Sequence, residues 1–132
     1  MPRYDRYTLA AIDLLREAKR RAAFAVPPEM TPAILLEAFF STESLLQREI
    51  LAAHGAKVVD GLAIGGESPA ASAAEVKLSM ALRRDLEEAE AATTGPVAIQ
   101  HLLAAVLPDE GETVSRILRD ADGKPFVGTI DP

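Results

Sequence analysis

Cysteine is absent from this chain of 132 residues, which excludes disulfide bonds, thiolate catalysis and cysteine-ligated zinc sites. Tryptophan is absent too, aromatic residues make up 5% of the chain, and alanine and leucine dominate. Such a composition favours helices over strands. No apolar run has the length needed to cross a membrane, and residues 1–6 lack the apolar core of a signal peptide. We therefore expect a cytoplasmic protein that makes no membrane contact.

Basic residues are scarce relative to acidic ones, with 14 against 20 and a net charge of −6. Because nucleic-acid affinity depends on basic patches, this balance disfavours nucleic acid as a partner. The one local basic run, residues 19–21, is placed to coat the end of a helix. Apolar residues make up 48% and charged residues 26%, proportions typical of a globular domain with a single core.

The strongest pattern in the chain is an internal similarity at a shift of 67 residues. Its centre is a short apolar segment, residues 97–107, whose counterpart is residues 30–40. The apolar doublets at 35–36 and 50–51 recur at 102–103 and 117–118 without a gap. A fixed self-similarity of this length indicates a duplicated helical unit whose copies bury their apolar faces against each other.

Capping signals divide each copy into helices. Thr8 precedes the first apolar helical pattern, and Thr31 precedes Pro32 at the start of the second, both in positions that favour an N-cap. Ser44 and Ser72 each begin a capping-box pattern, which predicts two further helix starts. Gly55 is placed to end the third helix in the left-handed conformation, and residues 57–62 are expected to form one more turn. A last helix begins after residues 109–112 and finishes near residues 122–123.

These signals predict an all-α fold made of two pseudo-symmetric helical repeats packed as a single bundle. The domain covers residues 1–123, with repeat one at about 4–60 and repeat two at about 72–123. Residues 61–71, rich in glycine and alanine, are interpreted as a mobile linker between the repeats. Residues 124–132 hold few apolar side chains and are interpreted as a tail.

Histidine, acidic and serine residues are catalytic or bind metal ions in many proteins, but in this chain their sequence context favours structural roles. His101 lies in an apolar helix without another metal ligand at a suitable spacing, so a packed, hydrogen-bonded histidine is favoured; His54 precedes the helix-ending Gly55 and is assigned to a C-terminal cap. The acidic run at 85–90 is interpreted as a solvated helix face. Ser41, Ser44 and Ser72 lack the sequence around a catalytic serine and are taken as caps. The sequence predicts no enzyme, no cofactor and no metal.

The opening residues and the repeat resemble a known family. The stretch Tyr4-Asp5-Arg6-Tyr7-Thr8 has the aromatic, arginine, aromatic, threonine order with which the N-terminal domain of the Clp ATPases begins. That family also carries a Gly-Thr-Glu-His-hydrophobic-Leu-Leu signature at the start of the second helix of each repeat. The second copy here keeps it in part at residues 98–103, and the first copy, at 31–36, is further from it. The resemblance covers residues 3–122, and no phosphate-binding loop of the motor domain is present.

The resemblance implies a stand-alone, non-catalytic interaction module of protein quality control. Its expected partner is a Clp ATPase or protease subunit, an adaptor or a substrate. The expected protein-binding residues lie at the start of each repeat's second helix and at the N-terminal aromatic edge: Tyr4, Tyr7, Met30, Thr31, Ala33, Val97, Ala98 and Gln100. For Tyr4 and Tyr7 an equally good interpretation is structural, in which their aromatic side chains attach the first helix to the core. An alternative function is a receptor or decoy for a small molecule or peptide on the same fold.

Both copies lack the signature glutamate of the family, which predicts a difference in ligand recognition. Family members that recognise phosphorylated arginine use the signature glutamate to hold the guanidinium group, and the equivalent positions here are Ala33 and Gln100. Alanine offers no acceptor, and glutamine offers one neutral oxygen beside an amide donor. We therefore expect no recognition of phosphoarginine, and a more apolar binding surface.

Overall fold

The computed structural model describes residues 4–25, 27–42, 44–59, 76–128 and 130. This part of the chain is mainly helical, in agreement with the predicted fold class. Its α-helices are α1 (Leu9–Ala22), α2 (Pro32–Ser41), α3 (Leu45–His54), α4 (Met80–Ala91), α5 (Ile99–Val106) and α6 (Gly111–Ile117). Four two-residue strands accompany them: β1 (Glu29–Met30), β2 (Lys57–Val58), β3 (Lys77–Leu78) and β4 (Leu118–Arg119). Two 3-10 turns lie at Tyr4–Arg6 and Leu107–Asp109.

The predicted caps of the first three helices are confirmed. The hydroxyl groups of Thr8, Thr31 and Ser44 each accept a hydrogen bond from the backbone N–H three residues later, at 3.1 to 3.2 Å. Gly55 ends α3 with a φ of 63°, a conformation that an L side chain rarely adopts. The second half of the capping box of α3 is absent, because Gln47 is buried and donates to the carbonyl of Phe40 at 2.9 Å instead.

The fourth helix begins later than the sequence predicts. Its N-cap is Ser79, whose hydroxyl accepts from the N–H of Leu82 at 3.0 Å, and the residues before it form β3. The predicted cap Ser72 and the predicted linker 61–71 lie outside the described residues. The helical pattern extended too far towards the N-terminus because Leu78, a residue of β3, shares the apolar spacing of the helix that follows.

Two further helix predictions are wrong. Residues 57 and 58 form β2 rather than a helical turn, and β2 pairs antiparallel with β4 through Val58 and Leu118. The same pairing ends α6 at Ile117, five residues before the predicted end at 122, because Leu118 is drawn into a strand. Both strands are only two residues long, so periodicity carries no signal for them.

The predicted C-terminal tail packs against the domain. The backbone N–H of Phe126 donates to the carbonyl of Leu118 at 3.1 Å, and its own carbonyl accepts from the Ser115 hydroxyl at 2.7 Å. Phe126 and Ile130 are buried in the same hydrophobic core as the helices. The segment after Gly123 therefore adds apolar side chains to the core at these two positions, although its composition is that of a tail.

The elements are joined by two crossed parallel pairings. Tyr7, just before α1, pairs with Val97, just before α5, while β1, just before α2, pairs with β3, just before α4. Each pairing therefore joins a residue near the first helices to a residue near the last ones. α1 packs against α2, and α4 packs against α5.

The distance between equivalent helix N-caps corrects the 67-residue shift found in the sequence. The caps of α2 and α5, Thr31 and Ala98, are 67 residues apart, whereas those of α1 and α4, Thr8 and Ser79, are 71 apart (79 minus 8). The gapless shift of 67 is therefore wrong by four residues for the first helix of each copy. Four residues are close to one helical turn, so both registers place apolar residues on the same face.

The core lies where α2 and α5 meet the other helices. Its fully buried side chains include Leu35, Leu36, Phe40, Leu102 and Leu103. Phe39 and Phe40 form an edge-to-face pair with ring centroids 5.0 Å apart. Within the described ranges, no helix combines the length and apolarity that crossing a bilayer requires.

Candidate protein-interaction site

Three of the predicted binding residues are core residues. Tyr7 is 6% exposed, donates its hydroxyl to Glu90 Oε2 at 3.2 Å, and pairs through its backbone with Val97, which is fully buried. Met30 is also buried, in the strand β1. A buried side chain cannot contact a partner unless the domain opens, so these three residues do not contribute to a surface. For Tyr7, the structural alternative, a staple between α1 and α4, is the one the structure supports.

Tyr4, Thr31 and Ala33 have separate places in the fold. Tyr4 begins the first 3-10 turn, and its side chain lies outside the described residues. The Thr31 hydroxyl is engaged as the cap of α2, and Ala33, in the first turn of that helix, is half-buried. Neither Thr31 nor Ala33 lines the groove described below.

The start of α5 is more open. Gln100 is exposed and Ala98 is half-buried at the N-cap position. An alanine cannot cap a helix with its side chain, and here His101 Nδ1 accepts the N–H of Ala98 at 2.9 Å. His101 is therefore a hydrogen-bonded histidine, as predicted. His54 differs, since its Nδ1 lies 2.8 Å from the Ile50 carbonyl oxygen and must carry the proton in that bond.

A groove of about 350 Å³ opens beside the start of α5. Its apolar lining comes from Ala10 and Leu14 of α1, Phe39 of α2 and Ile99 of α5. Thr42 and Ser44, between α2 and α3, add hydroxyl groups to its edge. A half-open cavity of this size accommodates a bulky apolar side chain and lies at the lower end of the range of ligand pockets.

Two ion-paired carboxylates and two exposed leucines border this groove. Asp13 and Glu17 line it from α1, and each forms an ion pair along that helix, Asp13 with Arg16 at 3.9 Å and Glu17 with Arg20. The pKa of Glu17 is lowered from its ordinary value, first by its hydrogen bonds with Arg20, so its carboxylate stays charged well into the acid range. Leu9 and Leu45, next in the chain to the lining residues Ala10 and Ser44, are 80% and 74% exposed. Exposed apolar side chains beside an apolar groove are typical of an interaction surface.

Arg6 of the opening motif has a structural role that the sequence did not predict. Its guanidinium group donates to the carbonyls of Glu90, Thr93 and Gly95, at 3.2, 2.7 and 3.3 Å. These acceptors lie in the last turn of α4 and directly after it, where carbonyls have no helical partner and the helix dipole favours a cation. The arginine of the motif therefore joins the N-terminus of the chain to the end of α4.

Asp85 is the residue that the sequence interpretation missed. The acidic run predicts a solvated face at this position, yet Asp85 is only 8% exposed. Burial, together with the neighbouring carboxylates of Glu88, Asp109 and Glu110, raises the pKa of Asp85 to about 6. A signal was available, because residue 85 follows the buried Leu82 by three positions and so falls on the apolar face of α4.

The described residues hold no group of three or more histidine, aspartate or glutamate side chains arranged to bind a metal ion. Comparison with known proteins yields no family: no family model matches the chain. A search of curated proteins also finds no significant match.

Proposed function

We propose that this protein is a non-catalytic interaction module that resembles the N-terminal domain of the Clp ATPases and binds a protein partner through the groove between α1 and α5. The observation that carries the proposal is the groove itself. Its lining is apolar except for the ion-paired Asp13 and Glu17 and the polar Thr42 and Ser44, and it is adjacent in the chain to the exposed Leu9 and Leu45. Of the binding residues expected from the sequence, Ala98 and Gln100 are the neighbours of its lining residue Ile99.

The proposed fold is the double-repeat arrangement of that family. The support is that one order of elements occurs twice. In each copy a residue in a parallel pairing is followed by a helix, and a second such residue is followed by a second helix. Each paired residue of one copy contacts a paired residue of the other, so the copies are interlocked rather than stacked. Because α2 and α5 are almost fully apolar, neither copy would bury its apolar surface alone.

Two residues of the opening motif also support the resemblance. Arg6 holds the end of α4, and the Thr8 hydroxyl caps α1. Both roles require these residue types, because three carbonyls need a planar multiple donor and the N-cap needs a short hydroxyl or carboxylate side chain.

The partner that fits is a protein segment with an apolar side chain for the groove, because the lining residues Ala10, Leu14, Phe39 and Ile99 are apolar. Asp13 and Glu17 are already paired with Arg16 and Arg20, so the apolar contact rather than charge selects the partner. We propose that the partner belongs to the cytoplasmic Clp machinery, as a ring subunit, an adaptor or a substrate. A small-molecule or peptide receptor is the second function, and the same test separates the two.

The test fills the groove without disturbing the core. Ala10 is exposed and lines the groove, so Ala10→Arg places a long side chain across its mouth on a helix that tolerates arginine. Ala52→Arg, at an exposed position of α3 outside the groove, is the matched control. Immobilised wild-type protein and both variants are used for affinity capture with mass spectrometry, followed by direct binding to each purified Clp component that is enriched.

The proposal expects Clp components with the wild type and the Ala52→Arg variant, and at least a tenfold weaker affinity with Ala10→Arg. Capture of no Clp component by wild-type protein would reject the Clp assignment. Equal binding by both variants would reject the groove. If Clp components are absent and a peptide or metabolite co-purifies in an Ala10-dependent manner, the receptor function replaces the proposed one.

A further inference from the structure

The outer faces of α1 and α4 carry equivalent stripes of exposed side chains. Positions one, five and eight residues after the caps Thr8 and Ser79 lie on one face of each helix, because residues three and four apart are neighbours on a helix. The α1 stripe consists of Leu9, Asp13 and Arg16. The α4 stripe consists of Met80, Arg84 and Glu87. All six side chains are exposed, so the two stripes do not meet within one chain.

Each stripe begins with a large apolar side chain in water. Leu9 is 80% exposed and Met80 is 78% exposed, and each is the first residue of its helix. A single exposed apolar side chain is ordinary on a protein surface, but here one occupies the same place in both copies. Packing these two side chains against each other would remove both from water, which is favourable.

The charges of the two stripes are opposite at equivalent positions. Five residues after the cap, α1 has Asp13 and α4 has Arg84. Eight residues after the cap, α1 has Arg16 and α4 has Glu87. Helices that pack in parallel place equivalent positions opposite each other, so the apolar pair and both charge pairs are complementary. Antiparallel packing would place each apolar residue against a charge.

The charged side chains of the stripes can accept partners from another chain. Within the described part of the chain, the side chains of Arg84 and Glu87 form no hydrogen bond or ion pair. Asp13 and Arg16 are paired at 3.9 Å, with their side chains 74% and 79% exposed. That pair is neutral as a whole and does not select a generally basic or acidic partner. It does favour a surface that carries the same two charges in reverse order, because each charge then gains a second partner in a network.

We propose that a second copy of this chain covers these faces, with the α1 stripe of one copy packed in parallel against the α4 stripe of another. The α4 stripe has the reversed order of charges and the apolar residue in register with Leu9. Because two different surfaces meet, the interface is heterologous, and association can continue through the free stripes at the ends or close into a ring. The inference goes beyond the proposed function, since it requires no other protein.

The contact is small, which sets its expected strength. Each stripe is about 11 Å long from its first to its third residue, at about 1.5 Å per residue. A contact of this length buries less than the roughly 1,200 Å² of a stable interface, so we expect a transient association with a Kd of about 0.1 to 1 mM. Raising the salt concentration should weaken it, because its charge pairs stay close to solvent.

The experiment measures self-association of the full chain by sedimentation velocity between about 10 μM and 1 mM, and backbone NMR shifts over the same dilution. Arg16→Glu and Glu87→Arg each place like charges opposite each other, and neither residue lines the groove. A one-to-one mixture of the two variants, and the double variant Arg16→Glu/Glu87→Arg, again place opposite charges together. Glu49→Arg, at an exposed position of α3, is the control for a change of net charge. Thermal melts verify that all variants are folded.

The expected result is a sedimentation coefficient that increases with concentration, with NMR shift changes concentrated on both stripes. Each single variant should associate at least about fivefold more weakly, whereas the mixture, the double variant and Glu49→Arg should stay within about twofold of wild type. A wild type still monomeric at about 1 mM, or a mixture that associates no better than its components, would overturn the proposal. The assay contains no Clp component, so a failure here is distinct from a failure of the proposed groove.

Discussion

At the scale of single residues, burial rather than residue type decides what a side chain does. Asp85 and Glu87 are two positions apart on α4, yet one is buried with a raised pKa and the other is exposed. Tyr7 is a second example, because an aromatic residue of a type common in interfaces is buried in the core. Residue-scale tests should therefore compare a buried position with an exposed one of the same type.

The first test concerns the pH dependence of stability through Asp85. Its folded pKa of about 6 lies above the ordinary value of 3.8, so the folded state binds more protons than the unfolded state between those pH values. Stability is therefore highest below about pH 4 with respect to this group, decreases as the pH rises, and levels off above about pH 7.

Asp85→Asn should stabilise the protein at pH 7.5 by about 1 kcal/mol, after allowance for solvent screening of the carboxylate, and raise the melting temperature by about 3 to 5 °C. The gain should disappear near pH 4. Glu87→Gln serves as the control with no comparable gain. An Asp85→Asn variant less stable than wild type at pH 7.5 in calorimetry would contradict this account.

The second test concerns the core. Leu103 is fully buried in α5, and Leu103→Ala should destabilise the protein by about 2–5 kcal/mol, from lost transfer energy and the cavity left behind. That is a large share of the roughly 5–15 kcal/mol available to a domain. Urea denaturation measures the difference, with the exposed Leu45→Ala as the matched control, expected within about 0.5 kcal/mol of wild type. Equal losses at the two leucines would show that α5 is not in the core.

At the scale of elements, several helix starts are set by hydroxyl caps, whereas the end of α6 is set by strand pairing. Thr8, Thr31 and Ser79 each supply a hydroxyl to a backbone N–H, and such bonds depend only on residues within one turn. The ends of α6 and of the segment after α3 depend instead on the pairing of β2 with β4, which joins residues about 60 positions apart. Local signals therefore identify the capped helix starts and the end of α3 at Gly55, whereas the end of α6 depends on a distant strand.

The third test locates the start of α4. Ser79→Ala should destabilise the protein by about 1 kcal/mol, because the N–H of Leu82 loses its acceptor, and Ser79→Thr should recover most of that loss. Chemical denaturation of the two variants measures the difference. A loss of this size in Ser72→Ala, with none in Ser79→Ala, would restore the start that the capping-box pattern predicts.

At the scale of the whole molecule, the chain ends are joined to the interior of the fold. Arg6 binds carbonyls around residues 90–95, and Phe126 is buried beside His54, with ring centroids 6.5 Å apart. Contacts of this kind connect the first and last elements with those between them. The domain should consequently unfold as one cooperative unit that includes the described residues after Gly123.

The fourth test concerns that C-terminal segment. Phe126→Ala should cost about 3 kcal/mol, because a buried aromatic ring is removed from the core that it shares with Ile130. Val127→Ala, at a neighbouring position that is 88% exposed, is the control and should have little effect. Equal, small effects in thermal melts of both variants would support the interpretation of this segment as a tail.

The fifth test concerns ligand choice. Ala33 and Gln100 offer no carboxylate to hold the guanidinium group, so phosphoarginine should not bind. Hydrogen bonds to charged partners contribute roughly 1.5–3 kcal/mol, so two lost glutamates should weaken binding by at least about two orders of magnitude. Calorimetric titration decides the matter, with Ala33→Glu/Gln100→Glu as the gain-of-binding comparison. Micromolar affinity in the wild type would contradict the expectation.

The sequence by itself determined the elements whose physics is local. The caps at Thr8, Thr31 and Ser44, the left-handed Gly55 and the apolar helices α2 and α5 could all be predicted, because each depends on residues one turn apart. The mainly helical class followed from the same signals. The resemblance to the Clp N-terminal domain, the interaction function and the absence of phosphoarginine binding stay predictions.

Only the tertiary structure decided the features that depend on distant residues. A register shift of four residues preserves the helical face, so only the observed N-caps, Thr8 and Ser79, revealed that the starts of α1 and α4 are 71 residues apart. The environment of Asp85 needed the structure as well, because Asp109 and Glu110 reach it from another element. Burial is a property of the packed molecule, and it moved Tyr7, Met30 and Val97 from the predicted binding surface into the core.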